Sequence, residues 1–261
     1  MTTLKLSSAS GSEMGNRYRA NFDVMHLDPE PLLAVVADGM GDGEGSALAG
    51  RAAVDTFVEH VNAADGKVSP EVLRAAVAAA QQRVGDIGRR VGGLAGCTLT
   101  ALVESETGYW ITQIGDSRVY RLREGLLELL TTDHTMAWLG VIHGWYPMDS
   151  PQAAAARYHL TRYVGHGAHP ESDVLSVGLR PGDRFLLCSD GIADQVAYQQ
   201  ILEILEQQSP PDVMVWQLLS AAEVGLRRTV GIGRRPVSCR CDRCAAIRAG
   251  SILGGRGHPR G

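Results

Sequence analysis

The chain has 261 residues, 44% of them apolar and 21% charged, with a formal net charge of −4. This is an ordinary globular composition, long enough for one large domain with a sizeable core. No apolar run approaches the roughly 20 residues that cross a bilayer. The N-terminus also lacks the basic start and apolar core of a secretory signal, so no membrane span and a cytoplasmic location are expected.

The charge is unevenly spread. After Val224 there are nine arginines and one acid, Asp242, a net of +8, so the first 224 residues carry −12 (−4 less +8). An acidic body suits cations and is a poor match for nucleic acid. The cysteines, Cys97, Cys188, Cys239, Cys241 and Cys244, are odd in number, and the first two sit in strand-like runs. They are not a disulfide framework, and a reducing compartment is expected.

In chain order, "LKLSSAS" (4–10), "FDVMHL" (22–27) and "LLAVVA" (32–37) read as strands. Helical spacing covers 44–61 and 69–91, the second opened by Ser69 as N-cap and Pro70 at the first helical position. Strands return at 97–105, 108–114, 117–123 and 126–131, parted by turns at Gly108, Gly115–Asp116 and Glu124–Gly125. The segment 133–171 has little periodicity and reads as a mobile excursion. Strands at 172–179 and 184–189 and helices at 197–208 and 209–226 follow. Strands, two helices, strands, two helices: this order points to an α+β protein with mixed sheets covered by helix pairs.

Three aspartates share one setting. Asp38 ends an apolar strand and is followed by glycines at 39, 41, 43 and 45; Asp116 lies in the turn of "ITQIGDSR"; Asp190 ends the strand of "RFLLCSDG". Acids at strand ends point from a sheet edge while rigid backbone fixes them. Converging carboxylates repel, so the cluster calls for cations, and oxygen ligands with water suit Mg²⁺ or Mn²⁺. Glycine after the acid lets a backbone carbonyl approach the same ion. Dinucleotide, EF-hand, P-loop, cysteine-phosphatase and HExxH patterns all fail on this sequence.

The strings "VVADGMGDGEGS", "GCTLTALVES", "IGDSRVYRLREG", "LTTDHT" and "FLLCSDGIAD" resemble, in order, the bacterial metal-dependent 2C-type serine/threonine phosphatases, the PPM family. The likeness spans about residues 5–224. It implies a four-layer αββα sandwich of two antiparallel sheets flanked by helix pairs, with 1–224 as the phosphatase domain and 133–171 as a flap that influences substrate choice. Asp38 would bridge two ions (Mg or Mn), the Gly39 carbonyl would ligate one, Asp190 would ligate the second, and Asp116 would serve a possible third. The nucleophile would be a metal-bridging water that attacks phosphoserine or phosphothreonine in a phosphoprotein, the target of a Ser/Thr kinase.

The sequence also departs from the family. In "GNRYRANFD" Tyr18 stands at the phosphate-binding Arg and Phe22 at a Glu, which leaves Arg17 or Arg19 to meet phosphate. A His that follows DGMG in the family is missing, and Met40 and Asp42 cannot replace it. The terminal Gly-x-x-Asp-Asn and the strand after it are also missing, and 225–261 reads as a disordered Arg/Gly-rich tail. Such a break is what a frameshifted reading frame would give. A zinc site from Cys239, Cys241, Cys244 and His258 is disfavoured by its C-x-C-x-x-C spacing. Two functions stay open: a weakened phosphatase, or an inactive pseudophosphatase that binds a phosphoprotein or kinase.

Overall fold

A computed structural model describes residues 5–14, 21–41, 43–231 and 243–251. The elements are β1 (Lys5–Glu13), β2 (Val24–Pro29), β3 (Leu32–Ala37), α1 (Glu44–Ala63), α2 (Pro70–Val91), β4 (Leu99–Ser105), β5 (Gly108–Ile114), β6 (Arg118–Arg123) and β7 (Leu126–Leu129). Then follow α3 (Met136–Ile142), α4 (Pro151–Ala156), β8 (Asp173–Val177), β9 (Arg184–Cys188), α5 (Asp190–Ala193), α6 (Tyr198–Glu206), α7 (Pro211–Gly231) and β10 (Arg243–Ser251). Two five-stranded sheets run β2-β3-β4-β5-β8 and β1-β10-β9-β6-β7, antiparallel throughout.

Side-chain alternation in the central strands builds the layers. In β3, Leu33, Val35 and Ala37 join the core under α1 and α2, with Ala53, Phe57, Ala76 and Val84. Their neighbours Leu32, Ala34 and Val36 turn the other way, towards Phe185 and Leu187 of the opposite sheet. In β9 the alternation repeats, since Leu186 and Cys188 pack under Ile201, Met214 and Leu218 of α6 and α7. A strand buried on both faces loses its polar alternation, which is why "LLAVVA" is apolar throughout. Three apolar layers between four structural ones give the αββα sandwich that the family resemblance implies.

Local signals held where local physics decides. The Ser69 hydroxyl accepts from the Val72 N–H at 3.4 Å, capping α2. Glu124 and Gly125 take φ of 52° and 78°, the left-handed pair that a tight hairpin needs. The expected strand ending at 189 stops one residue earlier: Ser189 is the N-cap of α5, so Asp190 opens a helical turn.

The tail is a correction. Residues 225–231 continue α7, and Arg243–Ser251 form β10, inserted between β1 and β9 with Ala245 opposite Cys188. The expectation of disorder across 225–261 therefore fails for these two stretches. The edges of β1 and β9 offer rows of backbone donors and acceptors, and pairing with them makes a strand of a segment whose composition does not announce one. Asp42, Cys239, Cys241, Asp242 and His258 lie outside the described residues.

Truncation after Gly231 strips both neighbours of β10. Urea denaturation of the shortened chain should show a loss on the order of 3 kcal/mol or more, since each net hydrogen bond contributes about 1 kcal/mol. Equal midpoints and slopes would mean that β10 carries no stability.

Candidate active site

Asp38 leaves the end of β3 and is buried. Its N–H donates to Thr98 Oγ1 at 2.9 Å, and the Thr98 N–H donates back to the Asp38 carbonyl at 2.9 Å. Thr98 Oγ1 also lies 2.7 Å from Ser117 Oγ, so one buried hydroxyl ties the Asp38 backbone to the Gly115–Ser117 turn. Gly115 is fixed there twice over: its φ is +111°, and a Cβ would stand 2.5 Å from the Thr98 side chain. At Gly39 a Cβ would meet the carbonyls of Phe22 and Ser46, each at 2.9 Å. Glycine is thus required beside Asp38 by close packing of the β3–α1 turn.

Asp190 is positioned from the opposite sheet. The Ser189 hydroxyl donates to Asp23 Oδ2 at 2.7 Å, both residues being buried. The Asp23 N–H in turn donates to Asn21 Oδ1 at 2.9 Å, which fixes the chain that carries Phe22. Asp190 and Asp38 come within hydrogen-bonding reach of each other.

Asp38, Asp116 and Asp190 line one narrow cleft with Thr98, Tyr158 and Leu160. A second cleft shares Asp116, Tyr158 and Asp190 and adds Arg118, Asp133, Arg157 and Asp194. Two cationic side chains meet the acids at its rim. Arg118 grips Asp133 with two hydrogen bonds, at 2.9 and 2.6 Å, and Arg157 of the flap pairs with Asp194. Burial, then the charges of Asp133 and Asp194, push the Asp116 carboxyl up to about 7. Burial, then Asp38, Asp116 and Asp194, hold the Asp190 carboxyl well above the usual carboxylate range.

The flap is stitched to this cleft. Buried His134 accepts the Gly115 N–H at Nδ1 (3.1 Å), while its Nε2 lies 3.2 Å from Asp173, which Arg162 also holds at 2.7 Å. Burial and the Arg162 charge lower the His134 pKa, which keeps the imidazole neutral and able to accept at Nδ1. His159 contributes its backbone carbonyl to the Met136 N–H, so its role is in the turn of the chain. Cys97 and Cys188 are buried free thiols whose pKa burial raises, in keeping with core residues.

The structure therefore brings together Asp38, Asp116 and Asp190, with Gly39 next to the first; Arg17 and Arg19 lie outside the described residues. It adds Asp23, Thr98, Arg118, Asp133, Arg157, Tyr158 and Asp194. Asp133 and Asp194 were visible in "LTTDHT" and "SDGIAD", as acids close to strand ends. Arg157 and Tyr158 carried no local signal, because only the fold of the flap delivers them.

The donor set fits hard divalent cations. Asp190 Oδ1 is buried with no hydrogen-bond partner among the described residues, an orphaned acceptor that a cation would satisfy. Among the described residues no three His, Cys, Asp or Glu side chains are arranged to hold one ion by themselves. Mg²⁺-like ions accept that, being bound by one or two carboxylates with water and substrate phosphate.

Two antiparallel sheets between helix pairs, with carboxylates from both sheets at one rim, define an αββα sandwich with an acidic cleft. The family model for protein phosphatase 2C matches residues 20–212, and the chain belongs to that family. The serine/threonine protein phosphatase PstP of Mycobacterium tuberculosis is 30% identical over 208 residues, 78% of this chain and 40% of that protein. The chain thus spans less than half the length of that relative. The serine/threonine phosphatase stp of Listeria monocytogenes is 26% identical over 69% of this chain and 74% of its own length. Among solved structures, the PPM Ser-Thr phosphatase MsPP of Mycobacterium smegmatis, in complex with cacodylate, aligns with a TM-score of 0.75 at 28% identity, covering 94% and 98% of the two chains. The catalytic domain of PstP in complex with two manganese ions aligns at 0.79 and 26%, covering 95% and 100%. Among the described residues no helix is long and apolar enough to cross a membrane.

The raised carboxyls predict a pH-dependent stability in EDTA. Unfolded aspartates release their protons near pH 3.9, whereas folded Asp116 keeps its proton to about 7. The native state therefore holds more protons between these values, and stability falls as pH rises through that window. Asp116→Asn should melt higher than the parent at pH 7.5 in EDTA, by about 3 °C, with the gap closing near pH 4. A gap independent of pH would remove the electrostatic account. Separately, Gly39→Ala should lower the melting temperature and weaken Mn²⁺-induced stabilisation, read by thermal shift with and without the ion.

Proposed function

We propose that the chain is a metal-dependent protein serine/threonine phosphatase whose reaction centre is the cleft of Asp38, Asp116 and Asp190. The observation that carries this is the convergence of those carboxylates, from two different sheets, on one rim with an orphaned buried oxygen on Asp190. Asp38, the Gly39 carbonyl and Asp190 would hold two Mg²⁺ or Mn²⁺ ions, and Asp116 a third. When bound, such ions neutralise a phosphate dianion and bring the pKa of a coordinated water towards neutrality.

The chain's own part is positioning. Thr98 and Ser117 hold the Asp38 backbone against the Asp116 turn, Asp23 and Ser189 hold Asp190, and rigid strands prevent the acids from relaxing apart. Tyr158 and Leu160 close one wall of the cleft. Arg118 and Arg157 are both engaged by Asp133 and Asp194, so neutralising a substrate phosphate falls to the cations and to Arg17 or Arg19. The substrates are phosphoproteins, the products of a Ser/Thr kinase. Phe22, where the family carries an acid, favours one second reading: a domain that binds phosphoproteins without turning them over.

Hydrolysis of p-nitrophenyl phosphate and of a phosphothreonine peptide should require Mn²⁺ or Mg²⁺ and stop in EDTA. Asp38→Asn should cost at least about 100-fold, the upper end of what losing even an outer ligand partner costs. Silence of well-folded protein in both ions would reject the enzyme reading. Binding of the labelled peptide by that silent protein would favour the second.

A further inference from the structure

Beside the carboxylate cleft a much larger groove runs between the β6–β7 ribbon and the flap. It measures about 1370 Å³ with its open mouth, against about 260 Å³ for the adjoining cleft. One wall carries Leu129 of β7, and the other carries Trp138 and Val141 of α3, with Met148 before α4. Leu129, Trp138 and Met148 are exposed large hydrophobics. Singly exposed apolar residues need no explanation, but several lining one concave strip mark a surface that meets something.

Two observations say what it meets. First, the groove is continuous with the cleft: Arg118, Asp133, Thr135 and Arg157 line both. A chain leaving a phosphorylated residue seated at Asp190 thus has this groove as a continuous path. Second, its charges are selective. Asp133 is neutralised by Arg118 and Arg157 by Asp194, whereas Asp149 at the groove has no ion pair among the described residues.

We propose that this groove docks the residues flanking the phosphorylated Ser or Thr of a protein substrate. It selects a large aliphatic side chain, seated on Trp138, Leu129 and Met148, and a basic side chain facing Asp149. The proposal rests on the phosphatase reading of the cleft and adds to it the classes of side chain that the groove beside the flap accepts. Apolar anchors of this kind carry most of the energy in peptide recognition, and a rim charge sets selectivity.

The test compares p-nitrophenyl phosphate, which is too small to reach the groove, with two phosphothreonine peptides. One carries Leu and Lys on either side of the phosphothreonine; the other carries Ala at those positions. The parent protein should prefer the Leu/Lys peptide. In Trp138→Ala, the ratio of kcat/KM for that peptide to kcat/KM for p-nitrophenyl phosphate should fall about tenfold. Leu129→Ser, on the opposite wall, should lower the same ratio, and Asp149→Lys should remove the preference for Lys. Trp216→Ala, an exposed aromatic on α7 far in sequence from the groove, should leave the ratio unchanged. An unchanged ratio in Trp138→Ala and Leu129→Ser overturns the proposal, and so does a dimer in which these residues are covered.

Loss of all turnover in the parent would instead indict the phosphatase reading. Fluorescence anisotropy with the same labelled peptides then decides the groove by itself. A Kd about tenfold weaker for the Leu/Lys peptide in Trp138→Ala upholds it, and equal Kd values for both peptides and both proteins overturn it.

Discussion

Like charges do not gather without support, and the structure depends on gathering them. Burial, with the charges of Asp133 and Asp194 at Asp116 and of Asp38, Asp116 and Asp194 at Asp190, raises the proton affinity of those two carboxyls, which is a cost to the folded chain until cations or protons offset it. Each acid is therefore fixed through its backbone or its neighbour. Asp38 is fixed by Thr98, Asp116 by the tight Gly115 turn, Asp190 by Ser189 and Asp23, and Asp194 by Arg157.

The sandwich makes this possible because both central strands are buried on both faces. β3 and β9 are held from both sides: the side chains of Leu32–Ala37 and of Phe185–Cys188 meet either a helix pair or the opposite sheet. Their ends are thus stationary platforms, one per sheet, that aim acids at each other across the rim. The flap is attached at the same rim by a short backbone bridge from Val164 to Cys97, which in turn bridges Gly39, while Thr135 and Leu160 bridge within the flap itself. Neutral His134 adds a side-chain tie to Gly115. Surfaces that would choose a substrate and carboxylates that would hold ions therefore share a common frame.

The C-terminal part shows how far context can override composition. Nothing in "RCAAIRAGS" alternates convincingly, yet its backbone fills the space between β1 and β9. Phe22 illustrates the opposite case. It replaces an acid expected from the family, and it is buried with its carbonyl against Gly39, so the position serves packing of the turn.

Much of the site was legible because it is written locally. Strand-end acids followed by glycine, capped helices and hairpin turns are short-range signals, and Asp38, Asp116, Asp190, Ser69 and Glu124–Gly125 all came from them. The order of strands and helix pairs pointed to sheets covered by helices, and the four-layer arrangement followed from the family resemblance. What tertiary structure alone decided is which distant groups meet: Asp23 with Ser189, Arg157 with Asp194, His134 with Gly115, and β10 with two waiting edges. Those pairings span long stretches of chain, and their energies arise from burial and from unfilled hydrogen bonds. Neither exists until the sheets have closed on each other.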